Sequence, residues 1–314
     1  MWHSSTMKRY LLGLSAVLTI LLSSCEQAEQ AKKVQLTPQT QNTHSSPDPT
    51  VDARPALHFG FDLRLGPKED VRIYAPFLKY LEEKTGRRFT IHFTKGYDDT
   101  VDTLGQGKIQ FAALGSVNCV RAKEKYGVGC LAMGLNSENR AEYRSVIITR
   151  RDSPIKKLQD LQGKTFAFGS KYSTQGHILP RNMLEKEGIS LDKLTAHTFT
   201  SSHAETARLV INGRYDAGGL QDTLAHRLEA EGKIRILAVS DPSPSSLLCY
   251  SKGIDPVILA SVKTALLAFD PTGKDAFRLV DWDRSEMPHG FVEIDEAKLA
   301  QIRQMVRRYG LLKP

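Results

Sequence analysis

The chain has 314 residues, 40% of them apolar and 25% charged, with a formal net charge of +8. That length supports two domains with substantial cores, and the composition is ordinary for a soluble globular protein. Acidic and basic residues are well mixed, with no basic block interleaved with aromatics, which excludes a nucleic-acid-binding surface; the positive excess gives either a solvated basic face or a mild attraction for anionic solutes and membrane headgroups.

Lys8 and Arg9 precede an apolar run from Tyr10 to Leu22, which ends in Leu22-Ser23-Ser24-Cys25. A basic start, a short apolar core and small residues at its end describe an export signal over residues 1–24, with Met1 or Met7 as the start, rather than a spanning helix. Leu-Ser-Ser-Cys resembles the lipobox of bacterial lipoproteins, which implies lipid on Cys25. The plainer alternatives are a cleaved signal with an incidental cysteine and an uncleaved anchor. Removing Lys8 and Arg9 lowers the net charge by two, to about +6. Residues 25–55 are rich in Gln, Thr, Ser, Asp and Pro. Such a stretch buries too little apolar surface to offset its ordering entropy, which predicts a disordered tether spanning roughly 30 Å.

From Leu57 onward strands and helices alternate. Leu57–Phe61 reads as a strand, Val71–Thr85 as a helix, Phe89–Phe93 as a strand and Asp98–Gly105 as a helix. Ile109–Leu114 is a strand leading into a helix over Val117–Lys125, and Gly129–Gly134 and Arg144–Thr149 are further strands. A second series follows: strand Lys164–Phe168, helix Gly176–Glu187, strand Ala196–Phe199, helix Ala204–Ile211, strand Asp216–Leu220, helix Thr223–Glu231 and strand Ile234–Val239. The tail is helical by periodicity over Asp255–Phe269 and Asp295–Tyr309. Strands separated by helices predict mostly parallel sheets with helices on their faces, that is, an α/β protein.

The join between Phe168 and the following helix holds Tyr172-Ser173-Thr174-Gln175-Gly176-His177. Ser and Thr cap helices because their oxygens accept from free N–H groups of the first turn. Those same N–H groups and the positive end of the helix dipole also hold anions. Gly176 admits close approach to the backbone, and the neighbouring hydroxyls donate to oxyanion oxygens. Local chemistry alone leaves two readings: a capped helix, or a capped helix gripping an anion.

The longer string around it decides for the second. Ser173-Thr174-x-Gly176 followed by Pro180, preceded by Asp152-Ser153-Pro154-Ile155, Leu158, Asp160-Leu161, Gly163-Lys164 and Phe166-Ala167-Phe168-Gly169, resembles the substrate-binding proteins of phosphate, phosphite and phosphonate ABC importers. The similarity runs from about Ala56 to Leu312. It implies a two-lobed type II periplasmic-binding-protein fold with an interlobe ligand cleft. Residues 56–145 plus 241–314 would form one lobe and 146–240 the other. It further implies that the Ser173–Gly176 turn, with Tyr172 beside it, grips the oxyanion, and that His177, one residue beyond the turn, either joins that grip or faces solvent. His203, in Ser201-Ser202-His203-Ala204-Glu205, resembles a family histidine that reaches a phosphonate oxygen; the alternative is a surface histidine in a helix first turn. Tyr97 resembles a cleft tyrosine or caps a core, Ser116 caps a helix or offers its hydroxyl to ligand, and Asp222 resembles an acidic position that contacts an aminoalkyl group in some relatives or is ordinary helix-entry chemistry.

Two departures narrow the expected ligand. The segment Pro244-Ser245-Ser246-Leu247 lacks the aspartate with which relatives pair an ammonium, and Gln175 replaces the middle serine of the turn. An ammonium buried without a carboxylate is costly, so the expectation is a phosphonate, phosphite or phosphate without an amine. Partners implied are an ABC permease and ATPase or, alternatively, a histidine kinase reading an oxyanion or arsenite, with Cys119 as a soft ligand. The protein is expected to act as a monomer and to need no cofactor. Neither a G-x-S-x-G elbow nor a metal-ligand set is present, so an enzyme is not expected. Cys119, Cys130 and Cys249 read as buried apolar thiols, with Cys119 and Cys130 too far apart to bridge.

Overall fold

The computed structural model describes residues 54–93 and 97–312; the export signal, Cys25 and the tether lie outside the described residues. In chain order the elements are β1 (Leu57–Phe61), α1 (Pro67–Thr85), β2 (Phe89–Ile91), α2 (Tyr97–Gly105), β3 (Phe111–Leu114), α3 (Ser116–Tyr126), β4 (Gly129–Gly134), β5 (Glu142–Tyr143) and β6 (Ser145–Arg150). Then come β7 (Thr165–Phe168), α4 (Leu179–Lys186), β8 (Ala196–Phe199), α5 (His203–Ile211), β9 (Ala217–Gln221), α6 (Asp222–Ala230) and β10 (Ile234–Val239). The last are β11 (Ser243–Pro244), β12 (Leu247–Tyr250), α7 (Pro256–Leu267), β13 (Phe291–Val292) and α8 (Leu299–Arg308). No helix among the described residues is long and apolar enough to cross a membrane.

The strands form two large sheets, ordered β13-β4-β12-β3-β1-β2 and β10-β6-β9-β7-β8, and a small pair, β11-β5. Side-chain alternation sets the layers. In β3, Phe111 and Ala113 pack with Phe59, Phe77 and Trp282 on the face covered by α1 and α7. Ala112 and Leu114 of the same strand join Val117, Val120, Ile302 and Val306 on the opposite face, under α3 and α8. The second sheet divides likewise: Val146 and Ile148 face Val210 and Leu224, while Ile147 faces Phe166, Phe168 and Leu184. Burying each Val, Ile, Leu or Phe among them contributes about 1.5–3 kcal/mol.

Both sheets are mixed, not mostly parallel. β1 runs parallel to β2 and β3, but β12 is antiparallel to β3 and β4. In the second sheet β7 is parallel to β8 and β9, whereas β6 is antiparallel to β9 and β10. The sequence reading missed β12 because Leu247-Leu248-Cys249-Tyr250 is a short apolar run with no alternation, as expected of a strand covered on both faces. The helix expected over Gly176–Glu187 also differs: Thr174–Ile178 forms one turn of π-helix before α4 begins at Leu179. π-Helical turns of this kind are frequent at functional sites.

Candidate ligand-binding site

Loops after β1, β3, β7 and β8 converge where the two sheets meet, at the carboxyl ends of parallel strands, where open α/β sheets take ligands. β1 delivers Asp62 and Arg64; the turn after β3 delivers Gly115, Ser116 and the N-terminus of α3. From the second sheet come the π turn and His203. The contacts between them are direct. Thr174 Oγ1 accepts from the Val117 amide at 3.0 Å and lies 3.4 Å from Ser116 Oγ, which is 3.0 Å from Tyr143 Oη. The His203 amide donates to the Arg64 carbonyl at 2.9 Å. A methyl built on Gly115 would lie 3.5 Å from Thr174 Oγ1 and 3.6 Å from Asp62 Oδ2, so these groups crowd one point.

Within the turn, Ser173 caps: its Oγ accepts from the Gly176 amide at 2.9 Å. By position, the Thr174 and Gln175 amides have no acceptor within the helix, and a helix N-terminus favours negative charge. Gly176 departs from the expectation that it admits a ligand. A Cβ there would stand 2.8 Å from the Gly169 Cα, 3.0 Å from Ser173 Oγ and 3.1 Å from His203 Cε1, so its missing side chain admits protein. Gly176→Ala is therefore expected to destabilise the fold by about 1–3 kcal/mol through overpacking against backbone, with urea denaturation as the check; an unchanged midpoint would mean that the two glycines do not touch in solution.

His203 is 1% exposed, and neither ring nitrogen has a hydrogen-bond partner. Burial, with the nearby Arg64 charge adding, pushes its pKa down to about 3, so the ring is neutral. His177 is buried too, not solvent-facing: Nδ1 lies 2.7 Å from the Lys171 carbonyl oxygen and the ring meets Phe168 and Phe199 edge-on. Burial lowers its pKa to about 4. It is a core histidine. Tyr172 stacks on Arg121, whose guanidinium carbon is 3.4 Å from the ring centroid. Gln175 turns its amide inward, donating to the Arg144 carbonyl at 2.9 Å and towards Asp222 Oδ1 at 3.4 Å. Asp222 also accepts the Arg144 amide at 2.8 Å. Tyr97 opens α2, but its side chain lies outside the described residues.

Three charged groups that no sequence motif singles out sit at the same point. Arg64 Nη1 pairs with Glu286 Oε2 at 2.7 Å, both side chains buried, and Arg64 Nη2 donates to Ser246 Oγ at 3.1 Å. Asp62 accepts the Gly115 amide and the Asn118 amide group, each at 2.9 Å. Burial still lifts its pKa to about 6 against the pull of Arg64 and those donors, and burial raises that of Glu286 as well. Carboxylates are thus not lacking: they arrive from β1 and from the loop before β13, not from the Pro244–Leu247 segment. A 330 Å³ cavity beside these groups is lined by Tyr143, Arg144, Asp222, His226 and Glu286 among others.

Two mixed sheets, each clad in helices and meeting through loops at their strand ends, define the class as a two-sheet α/β binding protein of the type II periplasmic kind. Residues 59–299 match the family described as ABC transporter, phosphonate, periplasmic substrate-binding protein, and the chain belongs to that family. It is 27% identical over 180 residues to the phosphonates-binding periplasmic protein of Escherichia coli K12, covering 56% of this chain and 53% of that one. It is 24% identical over 318 aligned positions to the phosphate-import protein PhnD of Mycolicibacterium smegmatis, covering 93% of each. The chain thus spans about half of the first relative and nearly all of the second. In fold it is similar to PhnD1 of Prochlorococcus marinus, solved with methylphosphonate: TM-score 0.73, 17% identity, 81% of this chain and 98% of that one. The family is a binding component rather than an enzyme, and these matches lend no support to a histidine-kinase partner.

Proposed function

We propose that the protein is the lipid-anchored receptor of an ABC importer and binds a small phosphorus oxyanion between its two sheets. The oxyanion would sit against the Thr174 and Gln175 amides, the Ser116 and Thr174 hydroxyls and the N-terminus of α3, with His203 donating from one side. The observation that carries this reading is the His203 ring, buried with two unpartnered nitrogens beside that turn. A buried polar group without a partner costs free energy that a bound acceptor returns. The two lobes, 56–145 with 241–314 and 146–240, would close over the ligand by a hinge and hand it to the permease and ATPase. Lipid on Cys25 would hold this receptor, acting as a monomer, at the membrane. The names of the relatives, covering phosphonates and phosphate, support the ligand class.

Calorimetric titration of the full chain with phosphate, phosphite and methylphosphonate tests this. At least one is expected to bind with one-to-one stoichiometry, and Thr174→Val is expected to weaken it roughly 10- to 100-fold, the worth of a hydrogen bond to a charged group. No heat with any of the three would overturn the proposal.

A further inference from the structure

Away from this site, three thiols meet inside the first sheet. Cys130 on β4 and Cys249 on β12 are register partners on neighbouring strands, and Cys119 comes down from the first turn of α3. Cys119 Sγ is 2.9 Å from Cys130 Sγ, which is 3.5 Å from Cys249 Sγ, and all three sulfurs lie within 4.8 Å of one another. This corrects the expectation that Cys119 and Cys130 stand far apart: α3 packs on β3 and β12, and β4 lies beside β12, which brings Cys130 within reach of the first turn of α3. Cys119 and Cys249 are fully buried, while Cys130 is partly exposed and gives an entry path.

We propose that Cys119, Cys130 and Cys249 form an all-thiolate, three-coordinate site for copper(I). Thiolates select soft ions. Three sulfurs around one ion with metal–sulfur bonds near 2.3 Å stand about 4 Å apart, a spacing these side chains reach by small rotations. Zinc asks for four ligands in a structural site, and among the described residues no further Cys, His or carboxylate joins the group. Leu114, Val120 and Ile302 pack in the same core cluster as the three thiols. Binding forms three copper–sulfur bonds and sends the displaced thiol protons to solvent; no oxidant or reductant is consumed. The ion would pin the first turn of α3, whose N-terminus carries Ser116, to the sheet beneath it.

The test uses the full chain, purified and kept reduced without oxygen, titrated with copper(I) from a chromophoric chelator. The expected result is one copper(I) per chain, a three-coordinate, sulfur-only X-ray absorption spectrum, and protection of Cys130 from alkylation. Cys119→Ser, Cys130→Ser and Cys249→Ser should each weaken binding by more than about 100-fold, beyond what loss of an outer-sphere partner costs. Each variant's thermal melt reports whether it folds, and the spectrum of the unsubstituted chain decides if one does not. Failure to take up copper(I), a spectrum with nitrogen or oxygen ligands, binding retained in any folded variant, or a disulfide among the three that reductant does not open would overturn the proposal.

Discussion

Glu286→Ala is expected to lower the free energy of unfolding by about 3–5 kcal/mol. The substitution leaves the Arg64 guanidinium buried without its carboxylate 2.7 Å away, and strands the Ser246 hydroxyl that donates to the same oxygen. The cost is that of a buried guanidinium stripped of its directly paired carboxylate, larger than the net worth of the pair. Glu286→Gln keeps an acceptor and a similar volume, and should lose less. The double variant Arg64→Met, Glu286→Leu removes both charges and should recover most of the loss, as apolar replacement of buried pairs often does. Urea denaturation of these proteins and of the single variants Arg64→Met and Glu286→Leu checks this, the two singles and their double closing a double-mutant cycle with the unsubstituted protein. A loss below about 1 kcal/mol for Glu286→Ala would mean that the pair is hydrated and behaves as a surface ion pair. The cycle also bears on the site, because the Arg64 carbonyl accepts the His203 amide across the two sheets.

Much of the frame was legible in the residues, and physics explains what was not. β1 and β4 fall where apolar runs end in turn residues, and α3 begins one residue before its expected start. The Ser173 cap follows from short-range chemistry. Arg64, Asp62 and Glu286 could not be read that way. Each is an ordinary charged residue in its own neighbourhood, and only sheet order brings residue 286 beside residue 64. The one local hint was Asp70, whose carboxylate accepts the amides of Arg64, Leu65 and Gly66 and so ties down the loop carrying Arg64. The thiol cluster was hidden for a related reason: Cys249 reaches Cys130 through β12, a strand whose uniform apolarity carries no period.

Replacing both buried histidines, His177→Gln with His203→Gln, is expected to remove about 4 kcal/mol of acid sensitivity between about pH 7.5 and pH 5. The two rings titrate at about 4 and about 3 in the fold, against 6.5 as the unperturbed value. The unfolded chain therefore binds more protons than the folded one below about pH 6.5, and stability falls with pH until the folded values are reached. At about pH 5 each ring contributes roughly 2 kcal/mol of that loss. Asp62 works the other way: its folded value of about 6 lies above the usual carboxylate range, so its contribution to stability rises as pH falls. That opposing contribution is present with and without the histidines, so the measurement is the difference between the two proteins' stabilities at each pH, from urea melts. The variant starts lower at neutral pH, having lost packing, and the gap should narrow by about 4 kcal/mol on acidification. A constant gap would mean that both rings are solvated. Singly, His203→Gln should also differ from His177→Gln in the presence of an oxyanion. Charge on a bound ligand favours the protonated imidazole, so only a histidine that faces the ligand couples binding to proton uptake. Calorimetry in buffers of different ionisation enthalpy near pH 5 should record that uptake with His177→Gln and lose it with His203→Gln. The reverse pattern would move the ligand to the Phe168 and Phe199 side of the turn, away from the opposing sheet.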